Sequence, residues 1–167
     1  IPFAVMLQLH HEPSVLVLTR QDLPTLDRTK YGAASGVAKG GYVLIDCDDH
    51  KPEVILIGTG SEVHLCTDAF ELLKAKGIKA RVVSLPSWEL YEKQSQEYKD
   101  SVLPPNVTAR VSVEKGSTLG WERFVGLKGV SIGMSSFGAS APLKELHKEF
   151  GFNPERVAEA AAQLLGK

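Results

Sequence analysis

The chain has few cysteines, almost no excess charge and no long hydrophobic run. Its 167 residues contain two cysteines and carry a formal net charge of -1. Because two thiols form neither a dense disulfide framework nor a paired metal motif, we expect Cys47 and Cys66 to be structural, in a reducing compartment such as the cytoplasm. The small charge gives no electrostatic reason to expect nucleic acid or an anionic membrane as a partner. No apolar run approaches the roughly 20 residues that span a bilayer.

Several catalytic and metal-binding patterns are also missing. No serine lies in a Gly-x-Ser-x-Gly elbow, so the sequence does not support hydrolase chemistry. The five histidines lack the spacing of a zinc or haem site, and the adjacent pair His10 and His11 would point in different directions. We therefore predict no metal site and assign no catalytic residue.

The first residues differ from the rest of the chain. Residues 1–7 contain no basic leader or cleavage site, and there is no initiator methionine, so we expect the chain to start inside a longer protein. A helix end is predicted over 2–11, and the apolar residues Val15 to Leu18 predict a buried strand of a parallel sheet over 14–19. A single strand has no partner on which to bury its faces.

These patterns divide the chain into three parts. We interpret residues 1–24 as the tail of a preceding domain. Residues 25–39 are predicted to be a linker, since they are rich in small residues and show no apolar period. Residues 40–167 form the main domain, in which strands and helices alternate.

The alternation predicts a three-layer α/β/α sandwich around a mostly parallel five-stranded sheet with one antiparallel edge strand. The polar turn Asp48-Asp49-His50-Lys51 suggests that the first two strands form an antiparallel hairpin. The next crossover, from the second strand through a helix to the third, should be parallel. Strands are predicted over 41–46, 53–57, 79–84, 109–113 and 130–133, and helices over 61–76, 88–96, 121–125, 143–150 and 155–165.

One glycine-rich loop has the geometry of an anion site. Gly58, Thr59, Gly60 and Ser61 follow a strand and open a helix, where free backbone N–H groups and the helix dipole would face a phosphate. The loop lacks the lysine of a Walker A motif and the third glycine of a dinucleotide fingerprint. A structural alternative is a capping box between Thr59 and Glu62, whose carboxylate would also repel an anion.

Two further features have structural explanations. Glu114 follows a predicted strand and is a candidate carboxylate, but we expect a salt bridge from it to Lys115 or Arg123. Trp88 and Trp121 are expected to anchor packing or a subunit interface.

Arg20 is the candidate binding residue near the start of the chain. It follows the apolar run at 15–18, and ligands of open α/β sheets bind outside the carboxyl ends of strands. A guanidinium group there is suited to a phosphate or carboxylate, although the spacing alone favours a surface ion pair with a nearby acid.

The segment around Arg20, Leu18-Thr19-Arg20-Gln21-Asp22-Leu23-Pro24, resembles the end of the pyrimidine-binding domain of transketolases. The rest of the chain resembles the transketolase C-terminal domain over its whole length. The motifs that carry this resemblance are Gly40-Gly41-Tyr42-Val43-Leu44, Gly58-Thr59-Gly60-Ser61-Glu62-Val63, Arg81-Val82-Val83-Ser84-Leu85-Pro86-Ser87-Trp88-Glu89-Leu90, Ser101-Val102-Leu103-Pro104, Arg110-Val111-Ser112-Val113-Glu114, Gly120-Trp121 and Phe137-Gly138-Ala139-Ser140-Ala141-Pro142.

The resemblance implies a role in moving a two-carbon ketol unit between sugar phosphates. Transketolases use thiamine diphosphate and a divalent cation, Mg or Ca, held by a Gly-Asp-Gly…Asn motif in the first domain, and no Gly-Asp-Gly occurs here. The glutamate that activates the cofactor would lie upstream of residue 1. The resemblance therefore implies that this chain holds no cofactor, is inactive alone, and packs against the remaining domains and the second subunit of a homodimer.

The same resemblance gives Arg20 a role in binding the terminal phosphate of the sugar. Thr19 stands where serine is common in the family. Asp22 occupies a position that is often neutral or basic in relatives, so its carboxylate is expected to compete with the phosphate for Arg20.

Two alternatives remain open at this point. The chain would be a regulatory module if the loop from Gly58 to Glu62 bound a phosphorylated small molecule. It would belong to a related thiamine enzyme if its likeness were to dihydroxyacetone synthase or a deoxyxylulose-phosphate synthase. We expect the cytoplasm as the location, or the plastid stroma if the source is a plant or alga.

Overall fold

The computed structural model describes residues 1–27 and 29–167. The strands are β1 (Tyr42–Ile45), β2 (Val54–Gly58), β3 (Ala80–Ser84), β4 (Arg110–Ser117) and β5 (Val130–Met134). The α-helices are α1 (Pro2–Met6), α2 (Val63–Ala75), α3 (Trp88–Glu92), α4 (Gln96–Val102), α5 (Glu122–Val125), α6 (Leu143–Phe150) and α7 (Pro154–Leu164). Short 3-10 helices cover Ala34–Lys39 and Gly60–Glu62.

The five strands form one mixed sheet in the order β1-β3-β2-β4-β5. β2 pairs in parallel with both β3 and β4, and β4 pairs in parallel with β5. β1 lies at one edge and runs antiparallel to β3. The predicted mostly parallel sheet with one antiparallel edge strand is therefore confirmed.

Helices cover both faces of the sheet, which confirms the three-layer sandwich. Alternate residues of β2 point to opposite faces, as the period of a strand requires. Val54 and Leu56 join a core cluster with α2 and α7, whereas Ile55 and Ile57 join a second cluster with residues of α3, α4 and α5. Because β2 is buried on both faces, the sequence there is continuously apolar.

The second cluster contains the two tryptophans. Trp121 is buried, and its ring lies edge-to-face with that of Trp88 at a centroid distance of 5.1 Å. Phe124 lies against both rings. The predicted role of both tryptophans in packing is thus confirmed within this domain.

The predicted hairpin between the first two strands is wrong. β1 pairs with β3 rather than with β2. Asp46, just after β1, receives two hydrogen bonds from the guanidinium group of Arg81 on β3, at 3.1 Å and 2.6 Å. This buried ion pair holds β1 at the far side of β3, which leaves both edges of β2 free for parallel neighbours.

Local capping residues explain most helix boundaries. Gly77 adopts the left-handed conformation expected after α2, and Asn153 accepts a hydrogen bond from the Arg156 N–H at the start of α7. Ser87 caps α3 as predicted. The helix predicted over 88–96 ends early, however, because Ser95 caps a separate helix, α4.

The strand predicted over 14–19 is not formed. Residues 14–19 belong to no helix or strand, and the side chains of Val15 and Val17 are more than 85% exposed. The reason is the one that the sequence suggests: a single strand needs a sheet beside it. The division into 1–24, 25–39 and 40–167 stays a prediction; within the linker, Arg28 lies outside the described residues and Ala34–Lys39 form a 3-10 helix.

No helix in the described parts of the chain is long and apolar enough to cross a membrane.

Candidate functional site

Arg20 lies in an exposed bend of the N-terminal segment. The hydroxyl of Thr19 accepts a hydrogen bond from the Gln21 N–H at 3.2 Å, which orders the backbone around it. Among residues 1–27 and 29–167, no ion pair includes Arg20, so Asp22 does not pair with it in this structure. The guanidinium group is therefore accessible to a ligand, but no neighbouring group in the described structure fixes its direction.

The glycine-rich loop lies at the carboxyl end of β2, near the centre of the sheet. A Cβ atom on Gly58 would lie 3.0 Å from both Cys66 Sγ and Val63 Cα, so this glycine lets α2 pack tightly on the strand. Gly60 has a φ of +51°, which favours glycine for conformational reasons. Both glycines of the loop thus have a structural function.

Behind this loop, the buried Glu62 lies just before α2 and its carboxylate contacts β4. Its carboxylate lies 2.9 Å from Lys115 Nζ and accepts hydrogen bonds from Ser61 Oγ and from the Lys115 N–H. The predicted capping box is wrong, because the Thr59 side chain makes no cap hydrogen bond. The Glu62 carboxylate is bound by Lys115 and Ser61 instead of by the Thr59 N–H, which is the partner that a capping box requires.

Glu114 does not form the salt bridge predicted for it. Lys115 pairs with Glu62 instead, and Arg123 lies 5.8 Å from the ring of Trp88. Burial, together with the nearby Glu62 carboxylate, raises the pKa of Glu114 above its usual value. Glu114 and Lys115 lie within β4, just beyond the last residue pair that it forms with β2, where Lys115 binds Glu62 and Glu114 lies near the same carboxylate.

These two strands mark the point at which the sheet topology changes direction. The chain leaves β2 toward α2 on one face and leaves β4 toward α5 on the other. Open α/β sheets usually bind ligands at such a point. Here the Glu62 carboxylate and the Lys115 ammonium group pair with each other behind the loop, so they leave no net positive charge for an anion, and an anion site at Gly58 to Ser61 stays a prediction.

A second cluster, not predicted from the sequence, lies between α2 and α6. His64 and His147 line a surface groove of about 570 Å³. The Nδ1 atom of His64 and the Nε2 atom of His147 are buried, and no described protein group hydrogen-bonds to either. The two residues are far apart in the sequence, so no local spacing could have identified them.

The two cysteines and the other metal-binding residue types can also be located in the structure. In the described residues, no group of three or more His, Cys, Asp or Glu side chains is arranged to hold a metal ion. Cys47 and Cys66 are buried free thiols, and burial raises the pKa of both. The raised values make both thiols poor nucleophiles.

Comparison with known proteins shows which family contains this fold. Residues 40–153 match the model of the transketolase-like TK C-terminal domain. The chain is 57% identical over 154 residues to transketolase 10 of Craterostigma plantagineum, covering 91% of the chain and 22% of the relative. It is 51% identical over 163 residues to the chloroplastic transketolase of Spinacia oleracea, covering 97% and 22%.

A solved structure gives the same result. A transketolase mutant from Pichia stipitis superposes with a TM-score of 0.79 at 44% identity, covering 88% of this chain and 20% of that one. The chain thus spans about a fifth of the length of these relatives. This chain belongs to the transketolase family and corresponds to its C-terminal domain.

Proposed function

We propose that this chain is the C-terminal part of an enzyme that transfers a two-carbon ketol unit between sugar phosphates. The observation that carries the proposal is the family match over residues 40–153, together with 47–57% identity to plant and bacterial transketolases. In that enzyme the chain would pack against the remaining domains and support a homodimer. Its location, cytoplasm or plastid stroma, stays a prediction, although several of the plant relatives are chloroplastic.

The residues present do not fit thiamine diphosphate and its divalent cation. A diphosphate needs net positive or N–H-rich surroundings. Behind the glycine-rich loop the Lys115 ammonium group is already paired with the buried carboxylate of Glu62, so this pair offers no net positive charge. No cluster of carboxylates or histidines suited to a cation occurs in the described parts of the chain. We propose that the cofactor is held by other domains of the longer protein and that this chain alone is inactive.

The first experiment tests the inactivity of the chain. The purified 167-residue protein is assayed with xylulose 5-phosphate and ribose 5-phosphate, with thiamine diphosphate and magnesium supplied. We expect no turnover above the cofactor blank, and a full-length transketolase of the family serves as the positive control. Turnover by the chain alone would overturn the proposal.

The second experiment tests Arg20 as the group that binds the sugar phosphate. In the full-length enzyme, Arg20→Ala removes charge-assisted hydrogen bonds that contribute about 1.5–3 kcal/mol, which corresponds to a rise in KM of roughly ten- to hundred-fold. The rise should occur for phosphorylated acceptors and be much smaller for unphosphorylated analogues. Arg20→Lys should lose less, because the ammonium group keeps the charge but not the fork.

A surface control separates local from general effects. Lys128→Ala removes an exposed cation from the turn before β5, outside the N-terminal segment, and should leave KM unchanged. Equal losses for phosphorylated and unphosphorylated substrates in Arg20→Ala would contradict a phosphate role. That result would leave the inactivity of the isolated chain unaffected, since the two proposals rest on different residues.

A further inference from the structure

α6 is the most weakly embedded of the longer helices in the described structure. None of its eight residues is buried, and the loop before it is exposed, with the Phe137 side chain fully open to solvent. The helix contacts the domain through a half-buried apolar face that includes Leu146 and Phe150. A helix with so little buried surface can separate from the domain without unfolding the rest.

His147 lies at the centre of this contact. Its Nε2 atom is buried, and no described protein group donates to it or accepts from it. When the ring is neutral, an unpaired nitrogen costs little beyond one missing hydrogen bond. When the ring is protonated, the same atom becomes a charged N–H donor that needs an acceptor, and burial without one is much more costly.

In the described structure no group accepts a hydrogen bond from this nitrogen. The Glu62 carboxylate favours the charged ring, but it is bound to Lys115 Nζ and Ser61 Oγ rather than to His147. Burial lowers the pKa of His147 below its usual value, and the charge of Lys115 and the nearby His64 lower it further, with only Glu62 opposing them. The titratable groups that act on His147 or line the groove beside it are Glu62, His64, Asp68, Lys115 and Glu155, with Lys144 and Lys148 on α6 itself. Glu114 lies near Glu62.

We propose that protonation of His147 releases α6 from its contact with the rest of the domain, at the groove that α6 lines together with α2 and the start of α7, so that this helix is a pH-sensitive element of the domain. The direction of the pH effect follows from the ionisation of the ring. The released helix binds a proton more readily than the docked helix, so docking is strongest above about pH 6.5 and weakens as the pH falls through the pKa of the docked form. The carboxylates of Asp68 and Glu155 line the same groove and limit the effect without reversing it.

The experiment measures hydrogen exchange of the α6 amides in the 167-residue chain at pH 7.5 and pH 5.5. Protection factors are compared rather than rates, because intrinsic exchange itself depends on pH. We expect protection in α6 to fall at the lower pH by up to about tenfold, because pH 5.5 lies about one unit below the ordinary pKa of histidine. Protection in α2 and α7 should fall much less. Unchanged protection in α6 would overturn the proposal.

Two variants compare His147 with a histidine outside the groove. His147→Gln keeps a polar side chain that does not titrate in this range, so the difference between the two pH values should disappear. His10→Gln removes an exposed histidine in the N-terminal segment and should leave the difference intact. The same pH dependence in His147→Gln as in the original chain would contradict the assignment.

A direct titration keeps the proposal testable if His147→Gln does not fold. The ring signals of His147 are followed by NMR in the unmodified chain. We expect a midpoint below 6.5 that coincides with the loss of protection in α6. A midpoint at or above 6.5, or one that is separate from the change in α6, would overturn the proposal.

Discussion

The ion pair between Asp46 and Arg81 should be the largest single polar contribution to the position of β1. Both side chains are nearly inaccessible, with 11% and 7% of their surfaces exposed. Arg81 also donates to the backbone carbonyls of Ser101 and Val102, so its guanidinium group cannot turn toward water. Asp46→Ala leaves this charge buried and unpaired, which costs about 3–5 kcal/mol.

Urea unfolding measures this cost. For a slope of about 2 kcal/mol per molar, the midpoint should fall by roughly 1.5–2.5 M, with the slope unchanged. The matched control is Glu71→Ala, which breaks the Lys30–Glu71 pair whose side chains are about half exposed; it should cost at most about 1 kcal/mol. Equal, small losses in both variants would refute the reasoning.

The double variant Asp46→Ala/Arg81→Met gives a second test of the same mechanism. In the double variant no guanidinium group is left buried without a partner. The losses of unfolding free energy in the single variants Asp46→Ala and Arg81→Met should therefore add up to more than the loss in the double variant. Strict additivity would mean that the two side chains act independently.

The pair also predicts a dependence on pH. Burial alone would raise the pKa of Asp46, but hydrogen bonds from Arg81 and His50 and the charge of Arg81 outweigh it and lower the pKa below its usual value. The carboxylate therefore contributes stability above about pH 4, and this contribution is lost as the pH falls through the lowered value. In Asp46→Ala the acid limb of the stability curve should be flatter.

Three further experiments test other parts of the fold. Gly58→Ala places a Cβ atom 3.0 Å from Val63 Cα and should cost about 1–3 kcal/mol, whereas Gly138→Ala meets no atom within 4 Å and should change the unfolding free energy by less than about 0.5 kcal/mol. Arg110→Lys loses the fork that donates to four backbone carbonyls and should lower the free energy of unfolding by about 1–3 kcal/mol, measured by urea titration; no change would exclude this bracing role. Cys66 should react with a disulfide reagent only as fast as the protein unfolds, because its thiol is buried and burial raises its pKa; fast reaction in the native state would contradict its packing.

The sequence predicted the parts of the fold that depend on short-range signals. The continuous apolar run of β2 and the capping residues Ser87 and Asn153 are local, and they specify a buried strand and two helix starts. The partner of β1 is not local. The turn after β1 favours a hairpin, but the pairing is decided by Arg81, which lies 35 residues from Asp46 in the sequence.

The candidate site divides in the same way. The glycine-rich loop and the turn into α2 follow from their sequence, whereas the pairing of Glu62 with Lys115 depends on β2 and β4 being neighbours. The pair formed by His64 and His147 requires α6 to lie against α2. A sequence pattern identifies candidate side chains, but which of them pair is determined by their distances in the folded structure.

The N-terminal segment is exposed because its apolar residues have no neighbouring sheet in the described part of this chain to cover them. Val15, Val17 and Leu18 are apolar on both sides of an extended chain, which suits a strand covered on both faces. Burial of the three side chains would contribute roughly 5–9 kcal/mol, yet in the described structure they remain exposed. A second sheet beside residues 14–19 would recover this free energy and would also fix the direction of Arg20, which the segment carries at its end. A neighbouring domain would therefore bury the apolar run and orient Arg20 for the proposed phosphate contact.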